Sequence, residues 1–183
     1  YQELGIYEKA LNLNKTSLRI QKKLKNAVEI SNNLSNIGTN YFYLSRFDKA
    51  IEYFSQTLEL DRQSGDSAAI ATSLNNMGMV YSRWGKHRKA IGFYQDALGY
   101  TNMESRRAIR YSNIGMAWYH LKDFDKALEF LNKALEIDLK YNQKIKVGIR
   151  KNEISTVLTA KGKFKEAIRL NEEALTIFKD AGI

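Results

Sequence analysis

Few side chains in this sequence could perform covalent or metal chemistry. There are two histidines, His87 and His120, and no cysteine. Disulfides, thiolate metal sites and cysteine nucleophiles are therefore excluded together. The two histidines lack metal-ligand spacing, and Lys161-Gly162-Lys163 lacks the surrounding G-x-x-x-x-G-K-[ST] that cradles a phosphate. Acidic residues recur mainly as outer-face pairs such as Asp48-Lys49 and Asp125-Lys126. No nucleophile, base and orienting group can be assembled from these parts, so no enzyme activity, metal or cofactor is expected. What does recur is a carboxamide. Asn36, Asn76 and Asn113 each stand two residues before a glycine. A carboxamide donates and accepts hydrogen bonds at once, so a spaced set of them suits either holding a peptide backbone or bonding locally between neighbouring elements.

The elements that carry these carboxamides repeat. Residues 36–54 read NIGTNYFYLSRFDKAIEYF, residues 76–94 NMGMVYSRWGKHRKAIGFY and residues 113–131 NIGMAWYHLKDFDKALEFL. The alanine of each Lys/Glu-Ala-Ile/Leu marks the period, at Ala10, Ala50, Ala90, Ala127 and Ala167. Recurrence near every 40 residues is the mark of a repeat architecture rather than of a catalytic motif. Within a unit, Leu34, Ile37, Tyr41 and Leu44 follow helical spacing, as do Phe47, Ala50, Ile51, Phe54 and Leu58. Between the two stripes lie short turns at residues 44–47, 84–87, 121–124 and 161–164, each with a glycine or a small or polar residue for a tight reversal. Gly38, Gly78 and Gly115 fall inside the first helix of each unit, where glycine costs about 1 kcal/mol relative to alanine. Close approach of the partner helix backbone is the expected reason, with Ala50, Ala90 and Ala127 serving the same end on the second helix. The spacing predicts nine helices over 2–24, 26–44, 47–63, 67–84, 87–100, 104–121, 124–141, 144–161 and 164–181. A single hairpin cannot bury its apolar face, whereas stacked hairpins can.

These residues resemble the tetratricopeptide repeat, whose pattern is a large residue, Leu-Gly, Tyr, then Ala, Phe and Ala. It stands here as Leu34…Ile37-Gly38…Tyr41…Ala50…Phe54, as Leu74…Met77-Gly78…Tyr81…Ala90…Tyr94…Ala97, and as Tyr111…Ile114-Gly115…Trp118…Ala127…Leu131…Ala134. The units are longer than the family norm and lack its terminal proline, a form similar to that of bacterial signalling regulators and some cargo adaptors. The resemblance implies an all-α fold, an α-solenoid of stacked antiparallel helix hairpins forming a right-handed superhelix. It implies one array over residues 1–183, with a half repeat over 1–25 and repeats over about 26–65, 66–103, 104–143 and 144–183. It further implies a concave groove lined by the first helices, with Asn36, Asn76 and Asn113 pointing into it.

Helical neighbours of those asparagines complete the expected groove: Asn32, Thr39 and Tyr43; Asn75, Met79 and Arg83; Met116 and His120. Glu153 takes the asparagine place in the last copy. Met79 and Met116 also suit plain packing. Family members that grip a C-terminal carboxylate do so with groove cations. The corresponding places hold Ser35, Thr39, Asn76, Ile109 and Asn113, so that mode is rejected. The implied function is non-catalytic binding of a protein or peptide segment. The alternative is a sensory or regulatory domain of a larger bacterial signalling protein, such as a histidine kinase or transcriptional regulator.

The bulk composition agrees with a water-exposed helical protein, with 44% hydrophobic and 27% charged residues and no proline. No stretch approaches the roughly 20 apolar residues of a membrane span, and the absence of cysteine suits a reducing, cytoplasmic setting. The net charge is +9. Residues 140–169 hold nine Lys and Arg against Glu153 and Glu166, a net +7. Such a stretch is either a solvated face or an attractor for an acidic partner, with nucleic acid as an outsider. The ends do not match the middle. Leu4-Gly5-Ile6-Tyr7 opens a second helix without its first, and the last copy has Ser155, Leu158 and Lys151 at the motif places. Leu170 and Ile177 are expected to face a further helix. These ends predict an excerpt of a longer protein or, failing that, a homodimer through an uncapped end.

Overall fold

The computed structural model describes residues 2–183, with side chains from residue 5 onward. Tyr1, with which the expected half repeat begins, and the side chain of Leu4 lie outside the described residues. Two compact units divide the chain after Tyr100. The first holds α1 (Gln2–Leu24), α2 (Ala27–Tyr43), α3 (Phe47–Ser64), α4 (Ser67–Arg83) and α5 (His87–Gly99). The second holds α6 (Glu104–His120), α7 (Phe124–Lys140), α8 (Lys144–Ala160) and α9 (Phe164–Asp180). The described residues form no strand. Every helix end falls within one residue of its expected place. Within each unit, each helix packs against the next in sequence, so the units are built of stacked antiparallel hairpins.

Local chemistry sets the helix ends. Asp66 caps α4 by accepting from the Ala68 and Ala69 amides at 2.8 and 3.1 Å, and Asn26 and Asp123 cap α2 and α7 in the same way. The hairpin turns place Ser45, Gly85, Lys122 and Gly162 at φ between 56 and 77°, the left-handed region that ends a helix sharply. The one short interval in the repeat, Ala90 to Ala127, follows from α5, which stops at Gly99 after 13 residues where α7 runs for 17.

In the first unit Leu34, Ile37, Phe54, Leu58, Ile70, Leu74 and Val80 form one core. In the second, Leu131, Ile154, Val157 and Leu158 form its counterpart, flanked by Ala108, Ala134 and Ile137. Ala50, Ala90 and Ala127 are fully buried. The helical glycines do mark close approach, but a side chain rather than the backbone makes it in the first unit. A Cβ on Gly38 would lie 2.9 Å from the Phe54 ring, and one on Gly78 would lie 2.5 Å from the Tyr94 ring. At Gly115 the neighbours are Leu131 at 2.8 Å and the Ala127 carbonyl at 3.0 Å. The last hairpin, whose motif places are altered, keeps the device two turns further from its turn. There Gly148 receives the Phe178 ring at 2.8 Å.

The apolar face of α9 left open to solvent also differs from the expected one. Leu170 packs against the core of the second unit, and Ile177 lies 3.3 Å from where a Gly148 Cβ would stand. Phe164, Ile168 and Leu175 are the outward residues, each more than half exposed. Their counterparts one period earlier, Phe124, Leu128 and Leu135, pack against the core shared with α8. No described helix is long and apolar enough to cross a membrane.

Two consequences follow for the Gly78–Tyr94 seat. Gly78→Ala gains about 1 kcal/mol of helix propensity but forces a methyl group into a buried ring. Overpacking costs about 1–3 kcal/mol and outweighs that gain, leaving a net loss of up to about 2 kcal/mol in urea unfolding. Gly92→Ala in α5, where a Cβ meets nothing within 4 Å, gains about 0.5–1 kcal/mol. Equal effects of the two substitutions would refute the seat. Burial pushes the Tyr94 phenol well above its ordinary value, with a Ser82 hydrogen bond opposing, and burial raises Tyr53 in the same sense. A folded value above the unfolded one means that the stabilisation is full below about pH 10 and is lost as pH rises beyond it. The melting temperature therefore falls from about pH 10 upward, and Tyr94→Phe flattens that slope in calorimetry.

Candidate functional site

In the first unit the expected groove residues lie on α2 and α4. Asn32, Asn36, Tyr43, Met79 and Arg83 are exposed, Thr39 and Asn76 are half-buried, and Asn75 is buried, its Nδ2 donating to Met79 Sδ at 3.4 Å. A small cleft of about 90 Å³ brings Thr39 and Tyr43 of α2 together with Asn76 and Met79 of α4, over Phe42 and Phe54. Its walls are held in place. Thr39 Oγ1 donates to the Ser35 carbonyl at 2.9 Å, and Tyr43 stacks on Tyr7 of α1 with ring centroids 4.8 Å apart. The cleft thus offers hydroxyls and a carboxamide around an aromatic and thioether wall, the composition of protein-contacting surface.

In the second unit Asn113 and Met116 of α6 are half-buried and His120 is exposed beside the Tyr119 ring, 5.3 Å between centroids. Met116 packs against the core of that unit. Glu153 belongs to a buried polar network. Its carboxylate accepts from Ser112 Oγ at 2.9 Å and from Arg150 Nη1 at 2.7 Å. Arg150 Nη1 also donates to Ser112 Oγ at 2.7 Å, and its Nε donates to Asp138 Oδ2 at 3.1 Å. The Arg150 and Asp138 side chains are 7% and 1% exposed. Sequence reasoning missed this network, having placed acids on outer faces and counted Arg150 as surface charge. The signal was present: Asp61 and Asp138 occupy the same place in two repeats, on the apolar stripe of the second helix.

The basic segment 140–169 is largely neutralised where it folds. Lys140 pairs with Glu104 at 2.6 Å, Lys163 with Glu166 at 3.1 Å and Arg169 with Glu173 at 2.8 Å. Lys151 pairs with Glu173 and Lys161 with Asp125. Lys140, followed by Tyr141, holds the Glu104 carboxyl below the usual carboxylate range, and Lys151 does the same to Glu173. Among the described residues only Lys144, Lys146 and Lys165 of this stretch carry no ion pair. No group of three or more His, Asp or Glu among the described residues could hold a metal ion.

The tetratricopeptide repeat model matches residues 1–63, 29–100 and 106–180. A curated relative, the clustered mitochondria protein homolog of Xenopus tropicalis, is 31% identical over 85 residues, covering 45% of this chain and 7% of that protein. The chain therefore spans a small fraction of such a relative. Among solved structures, BtubC from P. vanneervenii superposes with a TM-score of 0.84 at 24% identity, over 99% of this chain and 76% of its own. A Rap protein complexed with competence and sporulation factor superposes with a TM-score of 0.81 at 15% identity, over 97% of this chain and 50% of its own. At these identities the superpositions speak for the fold alone.

The Arg150 network makes a stability prediction. Arg150→Ala leaves the buried Asp138 and the half-buried Glu153 without their cation and costs about 3–5 kcal/mol. Replacing all three at once, as Arg150→Met, Asp138→Asn and Glu153→Gln, recovers most of that loss in urea unfolding. A mild effect of Arg150→Ala alone would show that the network carries little of the second unit's stability.

Proposed function

Because the chain belongs to the tetratricopeptide repeat family, we propose that it is a non-catalytic module that binds a protein or peptide segment along the first helices of its hairpins. The observation that carries this reading is the cleft between α2 and α4. It gathers Thr39, Tyr43, Asn76 and Met79 from two successive first helices, and Asn32, Asn36 and Arg83 lie exposed on the same helices. Asn113, Met116 and His120 on α6, with Glu153 on α8, are the corresponding residues of the second unit. The carboxamides hold the main chain of the segment, while Tyr43 and Met79 contact its side chains. A Rap protein of the same fold is known in complex with competence and sporulation factor, which supports a ligand-binding use of such a scaffold.

A second reading keeps the surface and changes its consequence. The chain spans half of the Rap protein and 7% of the frog relative, which supports a sensory or regulatory part of a larger signalling protein. There the bound segment would bias a distant output by favouring one conformation. Nucleic-acid binding through residues 140–169 is not carried forward, since most of those cations are already paired.

The test uses peptides selected from a random display library on the wild-type chain, with affinity read by fluorescence anisotropy. Asn36→Ala combined with Asn76→Ala should weaken binding by about tenfold or more, roughly 1.4 kcal/mol, with the melting temperature nearly unchanged. Undiminished binding would rule out the carboxamides as peptide contacts. A large fall in stability would show that they bond within the fold instead.

A further inference from the structure

The two units carry the same polar frame with different charges. Counting 77 residues on from Asp61, Ser73, Ser35 and Asn76 gives Asp138, Arg150, Ser112 and Glu153. The register is structural as well, since the Gly38–Phe54 and Gly115–Leu131 seats correspond under the same step. In the second unit the buried carboxylate of Asp138 faces the Arg150 guanidinium, which Ser112 and Glu153 also hold. In the first unit the arginine place is Ser73 and the glutamate place is Asn76.

Asp61 is nonetheless kept, and kept buried, at 6% exposure. Hydroxyls are its side-chain donors: Ser31 Oγ to Oδ1 at 2.9 Å and Ser73 Oγ to Oδ2 at 2.6 Å. No ion pair reaches it among the described residues. A buried carboxylate without a cation is costly. Asp61 also lines a cleft of about 390 Å³ between α2, the end of α3 and the start of α4, with Ser31, Asn32, Gln63 and Asp66. No basic side chain lines that cleft. With serine in the arginine place, the first unit has the acid and an opening to it but no internal cation.

We propose that the Asp61 cleft is a guanidinium subsite, and that the segment bound by the first unit carries an arginine that enters it. A guanidinium is planar, weakly hydrated and able to bridge both carboxylate oxygens. It is also the group that the second unit places on the equivalent acid. Ser31 and Ser73 can rotate their hydroxyls to accept from the incoming N–H groups while leaving the Asp61 oxygens free to do so. The assignment of the guanidinium to a bound protein segment rests on the groove reading. The subsite itself does not, and it can be tested with a free guanidinium.

The experiment titrates the full ¹⁵N-labelled chain with methylguanidinium chloride at constant ionic strength, with sodium chloride as the counter-titration. The expected result is a saturable shift of the Ser31 and Ser73 amide resonances, absent with sodium. Asp61→Asn weakens this response by about tenfold or more. Ser73→Arg, which grafts the arrangement of Arg150, abolishes it and raises the melting temperature. A linear, unsaturating drift in the wild type overturns the subsite, as does a response that survives in Asp61→Asn. Saturable binding of methylguanidinium together with failure of the asparagine variants to affect peptide affinity would retain the subsite and reject the groove reading.

Discussion

The structure depends on a bulky side chain of each second helix resting on bare backbone of the first. Phe54 on Gly38, Tyr94 on Gly78 and Leu131 on Gly115 fix how near the two helices of a hairpin lie, and Ala50, Ala90 and Ala127 permit that distance on the other side. Once the hairpin is closed in this way, its remaining apolar residues must be covered by the next hairpin, which makes stacking obligatory. The same seat orients the surface. A residue two positions before the glycine lies roughly 200° around the helix from it. Asn36, Asn76 and Asn113 are therefore placed on the side of the first helix opposite its glycine.

The fold was legible because this constraint is repeated and local. Glycine, aromatic and alanine at fixed offsets specify each hairpin, and a period-3.6 stripe specifies its helices, so every helix end was readable to within one residue. The last hairpin shows the limit of that reading. At the motif positions it looked degenerate, with Ser155 in the glycine place, yet Gly148 and Phe178 rebuild the seat two turns away. A pattern read at fixed offsets does not see a device that has slid along both helices together. The outward face of α9 was misjudged for a different reason: Phe164, Ile168 and Leu175 stand 40 residues after Phe124, Leu128 and Leu135 and keep their phase, so the earlier repeat already marked them as the face a next helix would cover.

The candidate site was legible only in part. Exposed residues such as Asn36 and Tyr43 follow from helical phase alone. The buried polar groups do not, because a charge on an apolar stripe is invisible to a pattern that scores hydrophobicity. Arg150 and Asp138 are the clearest instance: one was counted as surface charge and the other was not distinguished from outer-face acids. Net charge misleads in a related way. The +7 of residues 140–169 counts cations whose partners, Glu104, Asp125, Asp138 and Glu173, lie 12 to 36 residues away or outside the segment. Pairing at hydrogen-bond distance removes most of the far field that a polyanion would sense, and salt screens the rest within about 10 Å.

Repetition also explains how one frame can hold two different polar solutions. A buried acid between successive hairpins needs donors, and a position on the next first helix can supply them either as a guanidinium or as a hydroxyl. With Arg150 the second unit is electrostatically closed, its carboxylates bound to an internal cation. With Ser73 in the arginine place and Asn76 in the glutamate place, the first unit lacks both that cation and the second acid, so volume and charge change together at two positions. Packing does not call for a carboxylate at Asp61, because an amide of the same shape would accept one serine hydroxyl at its oxygen and donate its N–H to the other serine's oxygen, without the cost of a buried charge. The retained carboxylate is best understood as a group whose counter-charge comes from outside the chain.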